Sequence, residues 1–144
     1  MPSKLYGQFL SQALNKEIDW DTDTIKVALL SNAYTPDQDA HNYLDDVVAN
    51  EVTGTGYTAG GNTLANKTNS YNSATNVITL DADDTTWSSS TITARYAVIY
   101  DASPATTATK PLIGYVDFGS DQSSSNGNFT ITWDSTGIVR VTVA

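Results

Sequence analysis

Cysteine is missing altogether from the 144 residues. That excludes a disulfide framework, a thiolate zinc site and a thiol nucleophile. Histidine occurs once, as His41, so a nucleophile–base–acid constellation has to be built around that single ring. Basic residues are scarce as well, seven against sixteen acidic ones, for a net charge of −9. The seven (Lys4, Lys16, Lys26, Lys67, Arg95, Lys110, Arg140) are scattered along the chain. A phosphate backbone or an anionic membrane needs a concentrated positive patch, so neither nucleic acid nor membrane is an expected partner. No apolar run approaches the ~18 residues of a membrane-spanning helix. The opening MPSKLYGQFLSQ lacks the continuous apolar core of a signal peptide, and the expectation is a protein that stays where it is made or leaves by cell lysis. A chain of this length is one domain and buries roughly 68–70% of its unfolded surface, enough for a core without staples.

What is present is periodicity. From Ser3 to about Lys16 the pattern reads as a helix. Leu5, Phe9 and Ala13 stand four apart, as do Tyr6, Leu10 and Leu14, in one apolar stripe about 100° wide. Ser3 is placed to cap it. Such a helix either covers one end of its own domain or serves as an arm that docks on a neighbouring subunit through Leu5, Tyr6, Phe9, Leu10 and Leu14. Residues 1–20 are assigned to this helix or arm and residues 21–144 to a single β domain.

After DWDTD the period falls to two. TIKVALL puts Ile25, Val27 and Leu29 on one face. TITARYAVIY sets Ile92, Ala94, Tyr96, Val98 and Tyr100 against Thr91, Thr93 and Arg95. NFTITW aligns Phe129, Ile131 and Trp133, and IVRVTV aligns Val139, Val141 and Val143. Alternation with threonine on the wet face describes strands buried on one side. VITL and PLIGYVDF complete the set. SSSNGN, with its Asn-Gly, and DSTG are hairpin signals on either side of NFTITW. The expected fold is mainly β, an antiparallel β-sandwich of jelly-roll or Ig-like type with a short N-terminal helix. The least regular part, residues 31–73, holds a helical turn near His41 to Val47 and covers an edge or end of the sandwich or carries function.

Three stretches have the residue types of chemistry. GTGYTAGGNTLANKT matches G-x-G-x-x-A at Gly54, Gly56 and Ala59, and comes near a phosphate loop from Gly61 to Lys67 and Thr68, with Asn66 in place of a glycine. Either motif works only where the glycines lead into a helix that receives the phosphate, and the residues after them have no helical period. These glycines therefore read as positive-φ turn positions, and no cofactor is expected. His41 has Asp45 four residues on, close enough to orient the ring if that turn is helical. Asp19, Asp21, Asp23 and Asp81, Asp83, Asp84 offer hard oxygens without an EF-hand pattern and read as solvated loop charge. Neither catalytic nor metal residues are expected. Tyr96, Tyr100, Phe129 and Trp133 read as core, whereas Tyr34, Tyr43, Tyr57, Tyr71 and Trp87 read as loop aromatics that would suit a glycan-binding module.

Four phrases, KVALLSNAYTPD, NEVTGTGYTAGGNTL, TITARYAVIYD and PLIGYVDFG, in that order, resemble a family of small virion structural proteins of tailed bacteriophages. The resemblance runs from about Ile25 to Val143. It implies a non-enzymatic head decoration (cement), minor capsid or minor tail protein. A cement protein would sit on the outer surface of the phage head, often as a homotrimer, bridging copies of the major capsid protein. A tail or fibre component, or a glycan-binding adhesin that recognises the host surface, are the alternatives. No residue-level site follows from the resemblance.

Overall fold

The segments of period two become strands, and all of their pairing is antiparallel. The computed structural model describes residues 3–143; residues 1, 2 and 144, inside the expected domain bounds, lie outside the described residues. The strands are β1 (Ser3–Leu5), β2 (Ile25–Leu30), β3 (Asn62–Thr63), β4 (Thr68–Asn72), β5 (Val77–Asp81), β6 (Thr85–Ser90), β7 (Thr93–Asp101), β8 (Leu112–Ser123), β9 (Gly127–Ile131) and β10 (Val139–Thr142). One helix, α1 (Phe9–Leu14), comes after β1. A large sheet has the order β1-β8-β7-β2-β3, and two small sheets have the orders β10-β5-β4 and β6-β9. The chain is mainly β, a sandwich with one short helix.

The large sheet is buried on both faces. Against the small sheets, Ile25, Val27, Leu29, Ala97, Ile99 and Ile113 meet Leu80, Trp87, Phe129, Ile131 and Val139. On the opposite face Ala28, Leu30, Val98, Tyr100 and Leu112 meet Tyr6, Tyr34, Leu44 and Val47. The irregular segment after β2, with single 3-10 turns at Leu44–Asp46 and Val48–Asn50, thus roofs a whole face rather than an edge or an end. Two-sided burial also explains the unbroken VALL in β2. A strand between two cores has no wet face to fill with threonine.

The N-terminal stripe is divided, which corrects the expected helix. Residues 3–5 form an edge strand whose Lys4 lies opposite Tyr115 of β8, and the Tyr6 N–H donates to the Ile113 carbonyl at 3.1 Å. Gly7 interrupts the pattern, because glycine weakens a helix interior by about 1 kcal/mol relative to alanine. Its N–H goes instead to the Gln38 carbonyl. The helix ends at Leu14 in a Schellman motif. Lys16 adopts φ +61°, and the N–H groups of Lys16 and Glu17 return to the carbonyls of Ala13 and Gln12. Of the proposed arm residues, Tyr6 and Phe9 are buried and Leu5 is half-buried against the core, so these three belong to the domain. Leu10 and Leu14 remain exposed.

Two further expectations are corrected. In β7 the register slips between Ala94 and Tyr96. Opposite this step β8 spends three more residues than β7, from Gln122 to Asp117, and the alternation flips across it: Ala94, Ala97 and Ile99 face the first core while Tyr96, Val98 and Tyr100 face the second. The hairpins around β9 do not form. Its partner is β6, β8 belongs to the large sheet, and β10 pairs with β5. Both turns are nevertheless made: Asn126 has φ +47°, and the Gly137 N–H closes onto the Asp134 carbonyl at 2.9 Å. They carry the chain between sheets. Trp133 consequently lies beyond β9 and is half-buried. Val139 is buried, Val141 is half-buried, and Val143 is exposed.

Candidate functional site

The glycine-rich loop is held from several sides, and it leads into β3 rather than into a helix. Gly56, Gly60 and Gly61 have φ of +77°, +91° and +72°. At Gly61 a Cβ would stand 1.8 Å from the Val27 carbonyl oxygen, so only glycine lets the chain come this close to β2. Glu51 organises the loop by accepting from the Tyr57 hydroxyl and from the Gly60 N–H, each at 2.6 Å. The Tyr57 hydroxyl in turn accepts the Leu29 N–H, and the Tyr100 hydroxyl donates to the Gly60 carbonyl. Burial and the Glu51 carboxylate push the Tyr57 phenol far above its ordinary value. Lys67, the would-be phosphate lysine, donates to the backbone carbonyls of Asp21 and Asp23.

His41 is not oriented by Asp45, which is exposed and makes no hydrogen bond to the ring. Its Nδ1 bonds the Tyr34 hydroxyl at 3.0 Å, and that hydroxyl bonds the buried Tyr6 hydroxyl at 2.8 Å. This chain ties the roofing segment to the N-terminal segment. Burial pushes the Tyr34 phenol up to about 12, so neither phenol ionises near neutral pH.

The acidic runs cap backbone. Asp19 accepts from the N–H groups of Asp21 and Thr22, and Asp23 accepts from Asp19 N–H at 2.7 Å. Asp83 takes the Asn66 amide and Asp84 the Trp133 N–H. Among the described residues no three His, Asp or Glu side chains converge as metal ligands.

The loop aromatics proposed for sugars are redistributed. Tyr34 and Trp87 are buried, Tyr43 and Tyr57 are half-buried, and Tyr71 is exposed. Trp87 sits edge-on to Phe129 and stacks on Tyr57. A solvent-accessible aromatic that sequence periodicity assigned to the core is Trp133. It lines an open groove of about 480 Å³ together with Lys4, Leu5, Tyr115, Asp134 and Arg140. Its indole N–H donates to the Asp83 carbonyl at 3.1 Å. The signal for this groove was Asp134 and Gly137, which turn the chain away just after the strand. Trp133→Ala is expected to cost about 1–2 kcal/mol in chemical denaturation, because the ring is only partly buried at the edge of the core; the 3–5 kcal/mol of a core aromatic would contradict this placement.

Two other features mark the surface. Leu10 and Leu14, 47% and 86% exposed, stand one turn apart on α1, while Phe9 and Gln12 of the same helix are buried. Arg95 and Asp117 form an ion pair at 2.6 Å across β7 and β8. No protein-family model matches the chain, nor does any curated protein or solved structure.

Proposed function

We propose that the protein is a non-enzymatic structural component of a phage virion, a decoration protein that staples major capsid subunits on the outer surface of the head. The observation that carries this reading is the pair Leu10 and Leu14. They are presented on a helix whose other face is locked into the domain by Phe9 and Gln12. A rigidly held apolar pair at the surface suits docking, since ordering a loose segment would cost entropy at the moment of binding. The four phrases of the virion resemblance fall on β2 with its roofing segment, the glycine loop, β7 and β8. They describe the scaffold, consistent with a family defined by shape rather than by chemistry. The preference for a homotrimer comes from that resemblance alone.

Binding by such an apolar contact is weakly screened and should survive moderate salt. The double variant Leu10→Ser, Leu14→Lys is expected to keep the stability of the parent within about 0.5 kcal/mol, because both side chains are exposed. Light scattering should give a trimer for the parent, and co-sedimentation with undecorated capsids should be lost in the variant. If the variant still decorates capsids as the parent does, this face is not the docking surface.

A second reading is favoured by the Trp133 groove. An aromatic ring beside Asp134, Lys4 and Arg140 has the makings of a sugar subsite for a host-recognising adhesin. A monomer that ignores capsids and binds purified host polysaccharide would establish that reading instead.

A further inference from the structure

At the end of β7, Asp101 is 0% exposed. Its Oδ1 accepts the Ser103 N–H at 2.8 Å, whereas its Oδ2 is buried without a partner. The group that meets it is the carboxyl of Asp23, from the turn that precedes β2. Two ionised carboxylates have four acceptor oxygens and no donor, so their contact is a hydrogen bond only when one of them carries a proton. Backbone bonds converge on the same place. Asp101 N–H donates to the Pro111 carbonyl, Ala102 N–H to the Thr24 carbonyl, and Thr24 N–H to the Ser103 hydroxyl.

We propose that the buried Asp101 carboxyl keeps its proton and donates it to Asp23, an acid-strengthened latch between the turn before β2 and the end of β7. It is independent of the virion reading. The cationic group at hand is Lys67, and its ammonium is engaged by the carbonyls of Asp21 and Asp23 rather than by the carboxyl pair. Asp19, on the same turn, is committed to the Asp21 and Thr22 N–H groups. Beside Asp101, the residue before β8 and the segment after β7 contribute the Pro111 carbonyl and Ser103. The Asp19 N–H donates to one Asp23 oxygen, but no donor reaches Asp101 Oδ2, and a proton supplies one.

Burial, with the Asp23 carboxyl adding to it, pushes the Asp101 carboxyl up from its ordinary 3.8 to about 6. Between those values the folded chain holds a proton that the unfolded chain releases. The contribution is therefore complete below the lower value and lost as pH rises through the upper one. Asp19, Asp37, Asp117 and Asp134 behave oppositely. Hydrogen bonds from Thr22, Ala40, Arg95 and Thr136 respectively hold them below the usual carboxylate range, so their contributions are lost in stronger acid. Thermal stability should peak at mildly acidic pH.

The test is Tm against pH, from 4.5 to 8.5, for the parent chain, Asp101→Asn and the charge control Asp45→Asn. In Asp101→Asn the oxygen keeps Ser103 while the amide supplies the missing donor to Asp23. The parent should lose on the order of 5 °C across the range. Asp101→Asn should be nearly flat and melt above the parent at pH 8, and Asp45→Asn should follow the parent. If Asp101→Asn does not fold, Asp23→Asn places the amide on the other partner and should flatten the profile in the same way. A parent profile without the alkaline fall, or an equal effect of Asp45→Asn, overturns the latch. So does millimolar calcium that raises the parent's Tm at pH 8 but not that of Asp101→Asn, which would make the pair a cation site.

Discussion

A chain that begins at Glu17 is expected not to fold cooperatively. The deletion removes β1 from the edge of the large sheet and takes Tyr6 and Phe9 out of two different cores. Each large buried side chain contributes roughly 1.5–3 kcal/mol, and Leu5 and Ala13 add partial burial. Tyr34 loses one of its two hydroxyl partners as well and keeps only His41. The sum is of the same order as the 5–15 kcal/mol that holds a typical domain together. Circular dichroism and urea denaturation of the truncated chain check this. A truncated domain with a sharp, parent-like transition would mean that the segment is a detachable arm.

Gly61→Ala should cost on the order of 3–5 kcal/mol. Part is the strain of a Cβ at φ +72°, about 1–2 kcal/mol. The rest comes from contact with backbone that has no room to move: the added carbon would lie 1.8 Å from the Val27 carbonyl oxygen and 2.8 Å from Ala28 Cα. Relief requires β3 to leave β2, which also pulls Gly60 away from Glu51 and Tyr100. Gly119 separates the two contributions. It has φ +82°, but a Cβ there meets nothing within 4 Å. Gly119→Ala should therefore cost only the strain, about 1–2 kcal/mol. Equal losses in urea denaturation would show that close approach to β2 is not what Gly61 provides.

Local pattern revealed the strands and long-range contacts decided their partners. Ile25, Val27 and Leu29 share a core as their alternation says, but Ala28 and Leu30 are as deeply buried, on the other face. In β7 the slip after Ala94 defeated a strictly alternating reading, because the extra residues lie in β8, around the positive-φ Gly119, and leave no mark on β7 itself. Asn126-Gly127 makes its turn, yet Ser124 bonds Ser90 across the sheets and diverts the next strand. At the N-terminus Gly7 was the visible sign that the stripe could not be one helix. The glycine loop was legible as backbone geometry because positive φ is a local property. The Asp23–Asp101 pair was not, since each aspartate sits in an ordinary turn context and only the pairing of β2 with β7 brings them together. The Trp133 groove was hidden for a similar reason, the crossing of residues 132–138 between sheets.

The most direct test of the proposed role is to locate the protein on intact virions by electron microscopy, comparing particles with and without it. The account predicts density on the outer surface of the head, repeated with the symmetry of the shell and touching it through the face that carries Leu10 and Leu14. Density confined to the tail, or heads that look the same with and without the protein, would contradict it.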